Sequence, residues 1–178
     1  MKRDIEQLKY PIGKFKSEPY EEDKLPLLID RIAALPGRLR SAIANLDDTQ
    51  LDSSYREGGW TLRQVVHHLP DSHMNAYIRF KLALTEENPT IRPYHEDRWA
   101  ECEEAKYGPV EDSLDLLDSL HRRWVSFLRS LKPEDFARAY IHPEHGKKYI
   151  LSEVLSLYAW HGEHHLAHIT EAKIRMGW

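Results

Sequence analysis

Four of the eleven histidines fall within the eight residues from His161 to His168, and imidazole is the commonest side-chain ligand for a transition metal at neutral pH. On an α-helix, residues four apart share a face with Cβ atoms about 5–6 Å apart, so His161 with His165, or His164 with His168, can hold one ion between them. The apolar stripe of the same segment (Val154, Leu155, Tyr158, Ile169, Ala172 and Met176) decides between the pairs. His165 falls near the middle of that stripe, His161 and His168 lie at its margin, and His164 turns toward solvent. His161 and His165 are therefore the expected inward ligands, with His168 in reserve. Against this stands a helix whose histidines are simply a solvated margin. The cluster as a whole favours metal, because desolvated imidazoles on a buried face need a partner to offset their burial.

Half a site needs a second element to complete it. Gly58-Gly59 marks a turn, and Thr61-Leu62-Arg63-Gln64 fits a capping box that starts a helix running to about Thr85. Leu62, Val65, Val66, Leu69, Ala76, Tyr77 and Leu84 define its buried face. The period places His73 in that stripe, His68 at its edge and His67 on the far side, while Pro70 perturbs the register. Spacing restricts the third ligand to His68 or His73 and does not choose. Cys102 stands alone, so it makes no internal disulfide and leaves the donors to histidine and carboxylate.

The remaining elements follow from periodicity. Leu8 to Phe15 belongs to an arm, residues 1–22, with proline, glycine and aromatics but no period, which reads as extended and laid over the body. From about Asp23 to Leu46 apolar residues recur at three and four, giving a first helix that Pro36-Gly37 must kink or split. Asn45 to Tyr55 is a polar connection. Asn88 to Gly108 reads as a long loop with one helical turn at Asp97 to Glu103, of a length that is commonly functional. A third helix carries Leu114, Leu117, Leu120, His121, Trp124, Phe127, Leu128 and Leu131 on one face, acidic early and basic late as the helix dipole prefers. Ala137 to Ile150 predicts a small β-hairpin around Pro143-Glu144-His145-Gly146, and Ser152 is the expected cap of the last helix, which runs almost to Gly177.

These elements make one all-α domain over residues 1–178, a four-helix bundle with a small β-hairpin before the last helix. Such bundles build metal sites from side chains on facing helices. The loop between the second and third helices is long enough to be a crossover, so simple up-down topology is not assumed. A formal net charge of -4 and a pI near 6.3 give no footprint for nucleic acid, and no apolar run approaches the length of a membrane span. Met1-Lys2-Arg3 leads into Asp4, Glu6 and Lys9 rather than an apolar core, so a cytoplasmic protein is expected.

The stretch Trp60 to His73, with Tyr158-Ala159-Trp160-His161-Gly162-Glu163-His164-His165 far downstream, resembles the DinB superfamily. The arm Tyr10 to Phe15 and the turn His142-Pro143-Glu144-His145-Gly146 are similar to its YfiT-like subgroup of metal-dependent hydrolases. The resemblance covers nearly the whole chain. It implies a four-helix bundle holding one divalent ion, zinc or nickel, on three histidines: His68 after the Trp-Thr start, and the pair His161 and His165. It also implies a cytoplasmic homodimer and relatives that transfer low-molecular-weight thiols such as bacillithiol or mycothiol. It implies no substrate.

Three neutral imidazoles leave an ion its charge and at least one open position, as catalytic sites do. Water there becomes a nucleophile near neutral pH, and a thiol is deprotonated more readily still. The pattern is not that of a zincin, because Glu163 points outward by helical phase. Glu144, His142 or His145 would serve as proton carriers if the hairpin closed on the site. Arg92, Tyr94, Arg98 and Trp99 would cover a small anionic cosubstrate such as a thiol. The expected function is a metal-dependent hydrolase of a small-molecule substrate, with a thiol S-transferase or a non-catalytic metal-binding bundle as alternatives.

Overall fold

A computed structural model describes residues 4–17 and 19–178. The reading of Met1-Lys2-Arg3 as no signal peptide, and Glu18 of the expected arm, lie outside the described residues. The chain forms α1 (Ile5–Lys9), α2 (Leu25–Ile43), α3 (Asp48–Leu51), α4 (Leu62–Thr85), α5 (Glu96–Trp99), α6 (Glu103–Tyr107), α7 (Val110–Ser130), β1 (Ala139–His142), β2 (Lys147–Ile150) and α8 (Leu151–Met176). The long helices α2, α4, α7 and α8 are the bundle.

Local chemistry accounts for most boundaries. Thr61 accepts from the amide of Gln64 while the Gln64 side chain returns to the Thr61 amide, so the expected capping box starts α4. A second box, Asp47 with Gln50, folds α3 inside the stretch read as a polar connection. The arm contains the one-turn helix α1, where lack of period suggested extended chain, and Asp4 accepts from the Glu6 amide at its start. Ser152 does not cap α8. The helix leaves β2 directly at Leu151, whose amide donates to the Arg138 carbonyl, so the hairpin itself satisfies that end. Pro36 is accommodated within one continuous α2.

Two apolar clusters occupy the two ends of the bundle. One takes Leu25 to Ile32 of α2, Ala76 to Ala83 of α4, Trp124 to Leu128 of α7 and Leu151 to Ala159 of α8. The other takes Leu35 to Ile43, Leu62 to Leu69, Val110 to Leu117 and Leu166 to Ala172. The order in which each helix visits the clusters makes α2 parallel to α8 and α4 parallel to α7. Each of α2 and α4 packs on both α7 and α8 rather than on the other. Parallel neighbours need a long crossover, and the segment from Glu86 to Pro109, with α5 and α6 inside it, supplies one. The hairpin turns the chain from α7 into α8, and Thr90 bridges to Ile141 beside it.

Between the clusters, at mid-bundle, the interior is polar. His73 of α4, His121 of α7, and His161 and His165 of α8 lie in the gap between the two apolar runs of their helices, and His68 lies at the inner end of the first run of α4, beside Leu69. Gly162 lets α8 approach α2 there: a Cβ on it would stand 2.6 Å from Leu35 Cδ2. Among the described residues, no helix is long and apolar enough to cross a membrane.

Candidate metal centre

His68 on α4 meets His161 and His165, one turn apart on α8, with one ring nitrogen of each within 4.8 Å of the others. His68 Nε2 and His161 Nε2 are 3.3 Å apart. Two imidazole nitrogens held about 2.0–2.1 Å from a tetrahedral ion stand about 3.3–3.4 Å apart, so the spacing suits a shared ion. Burial, with His168 nearby, lowers the pKa of His68 to about 4. Burial likewise holds His161 and His165 well below the ordinary imidazole range, with the other histidines of the group adding to it. All three are therefore neutral at pH 7 with lone pairs free to bind. His165 Nδ1 is buried with no hydrogen-bond partner, as are the Nδ1 atoms of His164 and His168. The trio is a histidine site able to chelate a metal ion.

The other interior histidines are engaged elsewhere. His73 lies behind His161 and bonds it and His121, so it stands in a second layer. His67, expected on the far side, is buried between helices: its Nε2–H donates to the Gly108 carbonyl and its Nδ1 accepts from the Ser113 hydroxyl at 2.7 Å. His164 was expected toward solvent by helical phase and is buried instead. The arm covers it with Tyr10, and Trp160 stacks on it at 4.4 Å. His168, the reserve ligand, donates from Nε2 to the Lys9 carbonyl at 3.0 Å and stacks on Tyr55 at 4.0 Å.

The trio opens into a cavity of about 490 Å³ whose walls include Tyr10, Tyr55, Arg56, Trp60, Trp160 and Glu96. Trp60 packs on His68 with ring centroids 4.8 Å apart. Arg63 fixes this wall: its buried guanidinium bonds Asp52, Asp48 and the Gly108 carbonyl, tying the α3 region to the start of α4. Among the described lining residues, Glu96 is the one carboxylate. It meets cavity solvent yet is flanked by protein, and that partial desolvation, with Asp97 beside it, raises its pKa.

Two sequence expectations are corrected here. His142, Glu144 and His145 do not line the cavity; the two rings stack at 4.3 Å on the hairpin turn, and His145 bonds the Tyr149 hydroxyl. Their ligand atoms also lie within 4.8 Å of one another, on a partly exposed turn. Arg92, Tyr94, Arg98 and Trp99 are absent from the lining, because Tyr94 and Trp99 pack on each other at 4.7 Å and both arginines are exposed. Glu96, from the same loop, enters in their place. Its only signal in the sequence was membership of a loop too long to be idle. Glu163 points away as expected and pairs with Arg38 of α2, and Cys102 is exposed outside the site.

The sequence profile of the DinB superfamily matches residues 31–169. A protein of Bacillus cereus strain B4264, named "Putative metal-dependent hydrolase", is 54% identical over 175 residues, spanning 98% of this chain and 100% of the relative. A protein of the same name from Bacillus thuringiensis subsp. konkukian is 53% identical with the same coverage. The solved structure of YfiT from Bacillus subtilis, described as a probable metal-dependent hydrolase with an unusual four-helix bundle topology, superposes with a TM-score of 0.94 at 48% identity, covering 97% of this chain and 99% of that one. The mycothiol-dependent maleylpyruvate isomerase, at 21% identity and a TM-score of 0.51 over 79% of this chain and 60% of its own, shares the fold alone.

Proposed function

This chain belongs to the DinB superfamily, and on that premise we propose that it is a metal-dependent hydrolase whose ion is held by His68, His161 and His165. The observation that carries the reading is the convergence of three neutral imidazoles on one point at the foot of a cavity. Relatives that match the chain end to end bear the hydrolase name. An all-imidazole donor set of this kind suits one divalent ion per chain, zinc or nickel. When bound, the ion supplies Lewis-acid polarisation and brings the pKa of a coordinated water toward about 7, with a position left open by the three ligands.

The chain's own residues manage the rest. Glu96, with its raised pKa and place on the cavity wall, is the residue that would accept a proton and return it during hydrolysis. Trp60 and Tyr55 give the cavity aromatic walls, and Arg56 puts a cation in the wall that suits a small substrate with an anionic or strongly polar group. The homodimer and the cytoplasmic setting implied by the family resemblance belong to the same proposal; analytical ultracentrifugation tests the first and cell fractionation the second.

The deciding experiment assays the metal-loaded protein on esters and on electrophiles, with and without a bacterial low-molecular-weight thiol, following products by mass spectrometry. Turnover in thiol-free buffer that disappears in His161→Ala supports hydrolysis. Metal-dependent conversion only in the presence of thiol overturns it in favour of thiol transfer.

A further inference from the structure

Behind the trio, a line of hydrogen bonds crosses the bundle from α8 to α2. His161 Nδ1 is 3.2 Å from His73 Nε2, His73 Nδ1 is 2.8 Å from His121 Nε2, and His121 Nδ1 is 2.7 Å from the carbonyl oxygen of Ile32. His73 and His121 are both almost wholly buried. The line ends on an acceptor that has no proton to give, and this fixes every proton along it. A neutral imidazole carries one N–H and one lone pair. His121 must donate from Nδ1 to Ile32, so its Nε2 is bare and accepts; His73 must then donate from Nδ1, leaving its Nε2 to accept from the Nδ1–H of His161. His161 Nε2 is left with its lone pair, and that is the atom 3.3 Å from His68 Nε2.

The acceptor at the end of the line comes from a proline. In an α-helix the carbonyl of residue 32 would bond the amide of residue 36, and Pro36 has no amide hydrogen. Ile32 would otherwise present a buried carbonyl without its helical partner, and His121 supplies the donor.

We propose that His73 and His121 are positioning residues that fix the tautomer and ring orientation of His161 for the metal, and that Pro36 exposes the carbonyl on which this relay is anchored. The inference rests on reading the trio as a metal site. Histidine ligands gain basicity and a defined ring plane when their second nitrogen donates to a fixed acceptor, and loss of such a partner typically costs 10–100-fold in affinity. Here the acceptor is itself a histidine, held in turn by another, so the effect reaches His161 from a backbone atom two rings away.

The test has two readouts that do not depend on turnover. In metal-free wild-type protein with 15N-labelled histidine, NMR should show His161 protonated at Nδ1 and bare at Nε2; a proton on Nε2 overturns the relay. Zinc affinity, measured by competition with a chromophoric chelator, should fall about 10–100-fold in His73→Phe. It should fall by a smaller factor in His121→Phe, and stay near the wild-type value in His73→Gln, whose side chain can both accept and donate. Wild-type affinity in both phenylalanine variants overturns the proposal, as does an equal loss in His73→Gln, which would mark His73 as mere packing. Should a variant fail to fold, the wild-type tautomer still decides. If wild-type protein bound neither zinc nor nickel, the metal reading would fall, while the NMR result would still judge the relay.

Discussion

His67 and His68 are neighbours in sequence and equally buried, yet they live in opposite circumstances. Both nitrogens of His67 are bonded, one to the Gly108 carbonyl and one to the Ser113 hydroxyl, and the side chain rivets α4 to α7. His68 faces only the same kind of nitrogen on His161, 3.3 Å away, among rings that bring no donor to it. A histidine whose protons and lone pairs are all accounted for within the protein is structural. One whose lone pair converges with others on shared space awaits a ligand. Identical residue types at adjacent positions are thus separated by hydrogen-bond accounting, which burial cannot do.

The strongest way to break that comparison is to remove each kind in turn. Alanine at His68, His161 or His165 should abolish or lower metal content by at least about 100-fold while leaving the metal-free fold intact, whereas His67→Ala should keep the metal and lose roughly 1–3 kcal/mol of stability through its stranded partners. Elemental analysis and urea unfolding of the same preparations check both halves. Full occupancy in His165→Ala would sink the ligand assignment, and retention in His164→Ala is expected because that ring serves the arm.

Acid should act on both kinds. Burial lowers the pKa values of His67, His68, His73, His121, His161, His164, His165 and His168, so the unfolded chain binds more protons than the folded one below the ordinary value of 6.5. Stability is therefore fully present above 6.5 and is lost as pH falls toward 4. For His121, lowered to about 4, the loss between pH 7 and 5 is about 2 kcal/mol. Asp71, raised to about 6 by burial and by Glu104, and Glu96, raised by partial desolvation and by Asp97, work in the opposite direction but are two groups against eight. Urea melts of metal-free protein at pH 7 and 5 measure the sum; equal midpoints would contradict the neutral interior.

Gly162→Ala sharpens the comparison from the backbone side. The added methyl meets Leu35, and overpacking there should cost about 1–3 kcal/mol and weaken metal binding through His161 while leaving the His67 bonds on α7 untouched. Unchanged melting would mean that Leu35 simply turns aside. The smallest effect is expected from chelation. Two apolar clusters hold the bundle without the ion, so circular dichroism should keep its helical signal, and collapse of that signal would make the site structural.

Much of this was legible in the sequence, and the rest failed for definable reasons. Periodicity and capping gave the four helices, the hairpin and the pair His161 and His165, because those are local properties of a segment. His164 defeated the helical wheel, since the wheel knows the bundle and not the arm that Tyr10 lays over it. The choice between His68 and His73 needed the depth of each ring across two helices; His73 is the more buried and is for that reason one layer too far back. Pro36 read as a disruption of α2, but its effect is felt on α7, where His121 takes the carbonyl it releases. Glu96 sits in a crossover whose path no local pattern encodes.

The contact of Trp60 with His68 also gives the molecule an optical consequence. With the indole 4.8 Å from one ring of the trio and 6.4 Å from His165, anything bound there lies within a few ångströms of a fluorophore. Nickel(II), with its partly filled d shell, should quench that emission, whereas zinc, with its filled shell, should not. The tryptophan spectrum would then distinguish nickel from zinc in protein loaded with either ion.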